Sequence, residues 1–232
     1  MAPFNPSGHA DRMIKVCGMA DPRSIRSVSA LAPMLMGFIF YPPSPRNACS
    51  LDPQAVQALP SFVTPVGVFV NEDADVIAST CTRYGIDTVQ LHGEESPELC
   101  GELRSRGLYV LKAFGISQDF DWDRLKPYED VVEMFIFDTS TPSHGGSGQK
   151  FDWSLLDSYP LSTPYLLSGG IGPDDIDAVI AAMRPRMAGV DVNSRFETSP
   201  GVKNPLSLAT FIAKLRNFNE NEPTPIPFWK KK

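Results

Sequence analysis

The sequence predicts an α/β fold made of a single (β/α)8 (TIM) barrel. Eight short β-branched or apolar runs alternate with helical stretches, and this alternation is typical of a parallel sheet. The chain has 232 residues, a length that such barrels commonly occupy as one domain. We expect the barrel to span residues 13–218, with an N-terminal tail over residues 1–12, which is a candidate for a non-native extension, and a C-terminal tail over residues 219–232.

The predicted elements follow one another with short connections. We expect strands over residues 14–17, 35–40, 63–70, 86–91, 108–113, 131–137, 165–167 and 189–192. We expect helices over residues 21–31, from 52, over 72–84, 97–106 and 122–125, from 151, and over 173–183 and 205–218. Two helix starts carry a local signal: Asp21 and Asp52 are each followed by proline, the pattern of an N-cap residue before the first helical position.

Composition excludes several classes of function. The net charge is −6, and the only basic run is Lys230–Lys232 at the C-terminus, so we expect no nucleic-acid partner. Because there is no signal-peptide pattern and no apolar run of membrane-spanning length, we expect a cytoplasmic chain without membrane contact. The four cysteines, Cys17, Cys49, Cys81 and Cys100, have neither metal-site nor disulfide spacing, which predicts reduced thiols and no metal. The remaining expectation is a monomer or homodimer that acts on a small-molecule substrate.

Glycine-rich segments follow the predicted strands where a barrel of this type places its functional site. That site lies at the carboxyl ends of the strands, and its phosphate-binding loops commonly follow strands 7 and 8. Taken singly, these segments could be ordinary turns, but their shared position at one end of the barrel favours phosphate binding. The candidate phosphate-binding residues are Gly145, Gly146, Gly148, Gly169, Gly170, Asn193 and Ser194.

Five further side chains at the strand ends are candidates for chemistry. Cys17 is either a base or nucleophile or a small buried residue. Asp138 and Asp191 follow apolar strand residues, where a carboxylate is either functional or a loop cap. Arg46 is either a clamp for a substrate carboxylate or a solvated surface residue, and His92 either faces a ligand or has a structural role. The residues alone leave these alternatives open.

Segments across nearly the whole barrel resemble the phosphoribosylanthranilate isomerase family. The matching segments are IKVCGM (14–19), GFIFYPPSPR (37–46), VGVFVN (66–71), VQLHG (89–93), FIFDT (135–139), HGGSGQKFDW (144–153), LSGGI (167–171) and GVDVNSRFETSPGVKN (189–204). The resemblance implies an Amadori rearrangement in tryptophan biosynthesis, without cofactor or metal. It further implies Cys17 as general base, Asp138 as general acid, Arg46 as the anthranilate carboxylate clamp and Asp191 as a sugar contact. His92 joins these as a candidate substrate-binding residue.

Two other functions compete with this interpretation. One is a sugar isomerase of broader specificity that also acts on an aminoaldose of histidine biosynthesis; such barrels generally use two aspartates, and Cys17 argues against that. The other is a non-catalytic barrel that binds a phosphorylated ligand, which would need neither Cys17 nor Asp138. One departure from the family pattern is Arg195, which is bulky for a phosphate-binding loop and which we expect to point to solvent.

Overall fold

The computed structural model describes residues 12–139 and 150–219. The segment 140–149, with Gly145, Gly146 and Gly148, lies outside the described residues, as do nearly all of the two expected tails. The strands are β1 (Met13–Val16), β2 (Leu35–Ile39), β3 (Thr64–Phe69), β4 (Thr88–Leu91), β5 (Tyr109–Ile116), β6 (Met134–Thr139), β7 (Tyr165–Leu167), β8 (Met187–Val192), β9 (Glu197–Ser199) and β10 (Val202–Lys203). The α-helices are α1 (Pro22–Ser29), α2 (Pro53–Gln57), α3 (Ala74–Tyr84), α4 (Pro97–Ser105), α5 (Ile176–Ala181) and α6 (Pro205–Asn219).

Strands β1 to β8 form a closed barrel, as the sequence predicts. Each strand pairs in parallel with the next, and β1 pairs with β8 to close the ring. The helices and 3-10 turns that join the strands pack outside, so the strands are buried on both faces. This explains why the strands appear in the sequence as short apolar runs rather than as alternating patterns.

The barrel interior has an apolar layer below a polar one. The apolar layer is a buried cluster of Met13, Leu35, Val66, Leu111, Ala113, Met134, Ile136 and Leu166. Side chains alternate between the two faces of a strand, so the residues two or four positions later along the same strands also point inward. On β1 and β6 these later inward residues are Lys15, Cys17 and Asp138. The strand period therefore brings chemically active side chains together at the carboxyl end of the barrel.

The predicted helix starts are confirmed. The Asp21 carboxylate accepts a hydrogen bond from Ser24 N at 2.8 Å, and the Asp52 carboxylate accepts one from Gln54 N at 3.0 Å. In each case proline follows the capping residue at the first helical position. Each cap satisfies a backbone N–H that has no partner within its helix.

Three expected helices are present but differ in type or length, and one hairpin was not predicted. The expected helix over 173–183 is a 3-10 turn at Pro173–Asp175 followed by the short α5. The segments expected to form short helices near 122 and from 151 are 3-10 helices, at Trp122–Tyr128 and Trp153–Ser158. The antiparallel hairpin β9–β10 is absent from the prediction, because two strands of three and two residues carry too little pattern to be recognised.

A search of the described residues for a membrane-spanning segment finds no helix that is both long and apolar enough.

Candidate active site

Cys17 lies at the carboxyl end of β1, inside the barrel. It comes directly after the last residue of β1 rather than ending the strand as expected, but its backbone N–H still donates to Val192 O at 2.9 Å. Its side chain is buried, and a Cβ placed on Gly37 of the neighbouring strand would come within 2.7 Å of the Cys17 Sγ. The glycine on β2 therefore leaves the space that the thiol occupies.

A buried ion pair lies beside this thiol. Lys15 Nζ donates to Asp191 Oδ2 at 2.9 Å, and its charge lies within electrostatic range of the Cys17 thiol. The other oxygen of Asp191, Oδ1, is buried and has no hydrogen-bond partner among the described residues. A buried carboxylate oxygen without a partner is costly, so Asp191 has an acceptor ready for a hydroxyl group in the barrel mouth. Lys15 belongs to the segment IKVCGM but is not among the site residues that the sequence predicts.

The electrostatics of Cys17 combine burial with this ion pair. Burial raises the pKa of the Cys17 thiol, the Asp191 charge adds to the increase, and Lys15 and Lys203 oppose it without cancelling it. For Lys15, burial alone would lower the pKa, but the Asp191 carboxylate outweighs burial and raises it. Lys15 is therefore a cation at neutral pH, and Cys17 in the free protein carries its proton.

Asp138 occupies the matching inward position on β6 and lies beside His92. One oxygen, Oδ1, accepts a hydrogen bond from Thr139 N at 2.7 Å, and the other, Oδ2, lies 3.5 Å from His92 Nε2. His92 Nδ1 in turn lies 2.6 Å from Gln90 Nε2. Since Oδ1 is engaged by the backbone, Oδ2 is the oxygen that can exchange a proton. Asp138 and His92 both lie within electrostatic range of Asp191, which joins the two halves of the site.

The loop that carries His92 is held by a second buried ion pair. Lys112 Nζ lies 3.1 Å from Glu95 Oε2, and both side chains are almost fully buried. Glu95 accepts hydrogen bonds from the N–H groups of Asn71 and Gly93, and Lys112 donates to the carbonyl of Gly93. This network fixes the backbone next to His92, and it was not predicted from the sequence.

Arg46 is partly buried and paired, in contrast to the alternative of a solvated surface residue. Its Nε and Nη2 donate to the carboxylate of Glu197 at 2.8–2.9 Å, and its side chain is 13% exposed. A Cβ on Gly18, whose φ is +74°, would come within 2.7 Å of Arg46 Cδ. Arg46 therefore passes directly over the residue that follows Cys17. Glu197 belongs to the last segment that carries the family resemblance but is not among the site residues that the sequence predicts.

The candidate phosphate residues lie at the ends of β7 and β8. Gly169 and Gly170 have φ values of +90° and +64°, which favour glycine. A Cβ on Gly169 would collide with Thr139 Oγ1 and come within 2.7 Å of Thr139 N, so Gly169 also has a packing role. Asn193 accepts a hydrogen bond from Lys203 at 2.6 Å through Oδ1, and Ser194 begins a 3-10 helix at Ser194–Phe196.

One backbone donor of this loop is already engaged. The Gly172 N–H donates to Asp175 Oδ2 at 2.7 Å, and the Asp175 carboxylate pairs with Lys150. Arg195 is exposed, in agreement with its predicted solvent-facing position, and its Nε lies 3.4 Å from where a Cβ on Gly172 would be. The Gly172 N–H is therefore not available to an anion at these loops.

Within residues 12–139 and 150–219, no three histidine, cysteine, aspartate or glutamate side chains are grouped so that they could hold a metal ion.

Known proteins resemble this chain in sequence and in fold. The model of a family described as N-(5'-phosphoribosyl)anthranilate (PRA) isomerase matches residues 14–214. The N-(5'-phosphoribosyl)anthranilate isomerase of Parabacteroides distasonis is 44% identical over 208 residues, which cover 89% of this chain and 91% of that protein. The crystal structure of phosphoribosyl anthranilate isomerase from Thermotoga maritima is 35% identical, with a TM-score of 0.78, and the match covers 88% of this chain and 98% of that one.

A further solved structure carries a ligand. It is a phosphoribosyl anthranilate isomerase in complex with reduced 1-(o-carboxyphenylamino)-1-deoxyribulose 5-phosphate, 32% identical with a TM-score of 0.73, covering 88% of this chain and 98% of that one. The family model thus spans nearly the whole barrel, and the relatives match along almost their full length. On this evidence the chain belongs to the N-(5'-phosphoribosyl)anthranilate isomerase family.

Proposed function

We propose that this protein converts N-(5-phospho-β-D-ribosyl)anthranilate into 1-(2-carboxyphenylamino)-1-deoxy-D-ribulose 5-phosphate, an Amadori rearrangement in tryptophan biosynthesis. The observation that carries the proposal is the pair of inward side chains at the ends of β1 and β6. Cys17 and Asp138 lie on different sides of one barrel mouth, as a base and an acid acting on two atoms of one sugar require. The oligomeric state stays the sequence prediction of a monomer or a homodimer.

The first chemical step is opening of the ribose ring. The lone pair of the anilinic nitrogen forms a C1'=N bond while the bond between C1' and the ring oxygen breaks. The ring oxygen takes a proton, which we assign to Asp138 Oδ2 because Oδ1 is held by Thr139 N. His92 Nε2, 3.5 Å from Oδ2, then lies beside the carboxylate that remains. The product of this step is an open-chain iminium ion.

The second step removes the hydrogen at C2'. The iminium ion makes this C–H bond acidic, and the Cys17 thiolate takes the proton. The electron pair of the broken bond forms C1'=C2' and neutralises the nitrogen, which gives an enaminol that tautomerises to the ketone. Because the thiol of the free protein carries its proton, this step uses the ionised fraction of Cys17, which the nearby charge of Lys15 favours.

Two anchors orient the substrate between the acid and the base. Arg46 supplies a guanidinium for the anthranilate carboxylate, and the loops after β7 and β8 supply backbone N–H groups for the phosphate. Asp191 Oδ1 is the acceptor for a sugar hydroxyl. Holding both ends of the substrate converts binding energy into orientation of the reacting bonds.

Turnover of the fluorescent anthranilate substrate tests this function directly. We expect purified protein, produced in a host that lacks the isomerase, to consume the substrate with multiple turnovers. Failure to do so would contradict the proposal. Turnover of the histidine-pathway aminoaldose at a similar rate would favour the isomerase of broader specificity, and tight binding of the substrate without turnover would favour the non-catalytic barrel.

Removal of the Arg46 side chain is expected to reduce stabilisation of the transition state strongly. We expect Arg46→Ala to lower kcat/KM by a factor that corresponds to about 2–4 kcal/mol, because a charge-assisted bidentate contact is lost. Arg46→Lys recovers only part of this, since an ammonium group cannot present two parallel N–H donors. Steady-state kinetics of the two variants, with Arg104→Lys in an exposed ion pair as control, measure the effect. Full activity in Arg46→Ala would exclude the carboxylate clamp.

Ionisation of Cys17 sets the alkaline limb of the expected pH profile. Its pKa is raised by burial, above the ordinary thiol value of about 8.5. The rearrangement needs one proton in the site, and in the free protein Cys17 holds it. Above the pKa of Cys17 that proton is lost. We therefore expect kcat/KM at fixed ionic strength to decline only above about pH 8.5. A decline that begins near neutral pH would contradict the raised pKa.

A further inference from the structure

Arg46 reaches Glu197 through one particular edge of its guanidinium group. Nε lies 2.9 Å from both carboxylate oxygens of Glu197, and Nη2 lies 2.8 Å from Oε2. A guanidinium has a second edge, formed by Nη1 and the remaining N–H of Nη2, that can also present two parallel donors. The contact with Glu197 leaves this second edge available to another carboxylate.

Glu197 is itself held on its other side. Lys203 Nζ, fully buried, donates to Glu197 Oε1 at 2.7 Å and to Asn193 Oδ1 at 2.6 Å. Gly201 N adds a hydrogen bond to Oε1 at 3.1 Å. Burial opposes ionisation of Glu197, but the hydrogen bonds from Arg46 and the charge of Lys203 outweigh burial, so the pKa of Glu197 lies below its ordinary value. Glu197 is therefore a carboxylate in a fixed position at neutral pH.

The two cationic side chains that contact Glu197 differ in their exposure. Lys203 is enclosed and turned toward Glu197 and Asn193, and burial lowers its pKa while the Glu197 charge opposes this decrease. Arg46 retains some exposure, and its Nη1–Nη2 edge has no hydrogen-bond partner among the described residues. A carboxylate that enters the barrel mouth would therefore meet the guanidinium of Arg46.

We propose that Glu197 is a positioning residue that determines specificity for the aromatic carboxylate, by holding Arg46 through its Nε–Nη2 edge so that the Nη1–Nη2 edge faces the substrate. This rests on the proposed function, in which Arg46 binds that carboxylate. The hairpin β9–β10 fixes the position of both side chains, because Glu197 begins β9 and Lys203 ends β10. The hairpin thus connects the loop after β8 to the Arg46 loop after β2.

The test compares two inhibitors in three variants. The inhibitors are reduced 1-(o-carboxyphenylamino)-1-deoxyribulose 5-phosphate and the same molecule without its carboxylate, and the readout is the ratio of their inhibition constants. The variants are Glu197→Gln, Arg46→Ala and, as a matched control, Glu133→Gln, which alters an Arg–Glu pair at the amino end of β6. The ratio isolates carboxylate recognition, because a general loss of structure weakens both inhibitors alike.

We expect Glu197→Gln to reduce the preference for the carboxylated inhibitor by about tenfold or more, the worth of one charge-assisted contact. We expect Arg46→Ala to reduce it at least as far, Glu133→Gln to leave it unchanged, and kcat of Glu197→Gln to change much less than its KM. A ratio that falls in Arg46→Ala but not in Glu197→Gln overturns this inference and leaves the role of Arg46 intact. A ratio unchanged in Arg46→Ala overturns both.

Glu197→Asp serves where the glutamine variant does not fold, as judged by its thermal unfolding. This variant keeps the charge but withdraws the carboxylate by one methylene, so it no longer spans Nε and Nη2 in the same way. We expect a smaller loss of preference than in Glu197→Gln, and a wild-type ratio in Glu197→Asp would also overturn the inference.

Discussion

Cys17→Ser is expected to lower kcat by at least about 10²–10⁴, the usual contribution of a positioned proton-transfer group. Serine keeps the approximate size and position of the side chain, but its hydroxyl is far too weak an acid to exist as a useful base. KM should change much less, because the phosphate and carboxylate anchors remain. Steady-state kinetics with the anthranilate substrate provide the measurement.

The other cysteines provide controls for this experiment. Cys49 is exposed, so it reacts with a thiol reagent without blocking the site, and Cys49→Ser should keep wild-type kcat. Burial raises the pKa of Cys81 and of Cys100 to about 12, which makes both slow to react. Burial also raises the pKa of Cys17, so its alkylation in the Cys49→Ser protein should be slow at neutral pH and faster at alkaline pH. The alkylated protein should be inactive, and a substrate analogue should protect Cys17. Near-wild-type kcat in Cys17→Ser would transfer the base role to Asp191, the carboxylate paired with Lys15.

Asp138→Asn is expected to lower kcat by a similar factor, about 10²–10⁴. The amide can still accept the hydrogen bond from Thr139 N, so the loop keeps its shape, but an amide cannot deliver a proton to the ring oxygen. The double variant with Cys17→Ser should be little worse than the poorer single variant, because the two residues act as a unit.

A carboxylate far from the site gives the matched control. Asp157 pairs with Arg184 and is largely exposed, so Asp157→Asn should leave kcat unchanged. Substrate affinity, measured by inhibition with the reduced product, should be nearly the same in Asp138→Asn and the wild type. A wild-type kcat in Asp138→Asn would show that the acid is another group, and His92, 3.5 Å away, is then the next residue to replace.

Local signals explain which parts of the fold could be predicted. The Asp–Pro pairs at the starts of α1 and α2 act within one turn of helix, and each cap is present in the structure. Elements that are too short to show a pattern were not predicted correctly. The hairpin β9–β10 has too few residues to show a period, and the turn at Pro173–Asp175 is tightened by the hydrogen bond between Gly172 N and the Asp175 carboxylate.

Some residues of the candidate site could also be predicted from the sequence, and others could not. Cys17, Asp138 and Asp191 could be predicted as site residues because they stand at strand ends. A carboxylate is unusual at the end of an apolar strand, and so is a thiol that is followed by glycine. Their partners gave no comparable signal. Lys15 and Asp191 are 176 residues apart in the chain, and Arg46 and Glu197 are 151 apart. Single residues at such separations leave no pattern in a sequence.

The sequence by itself determined the strand–helix alternation, the helix starts and which residues stand at the carboxyl ends of the strands, because hydrophobic period and capping act over a few neighbouring residues. Only the tertiary structure decided that Lys15 faces Asp191 and that Glu197 occupies one edge of Arg46. These pairings follow from barrel closure between β1 and β8, which brings distant segments together where burial makes an unpaired charge too costly to leave.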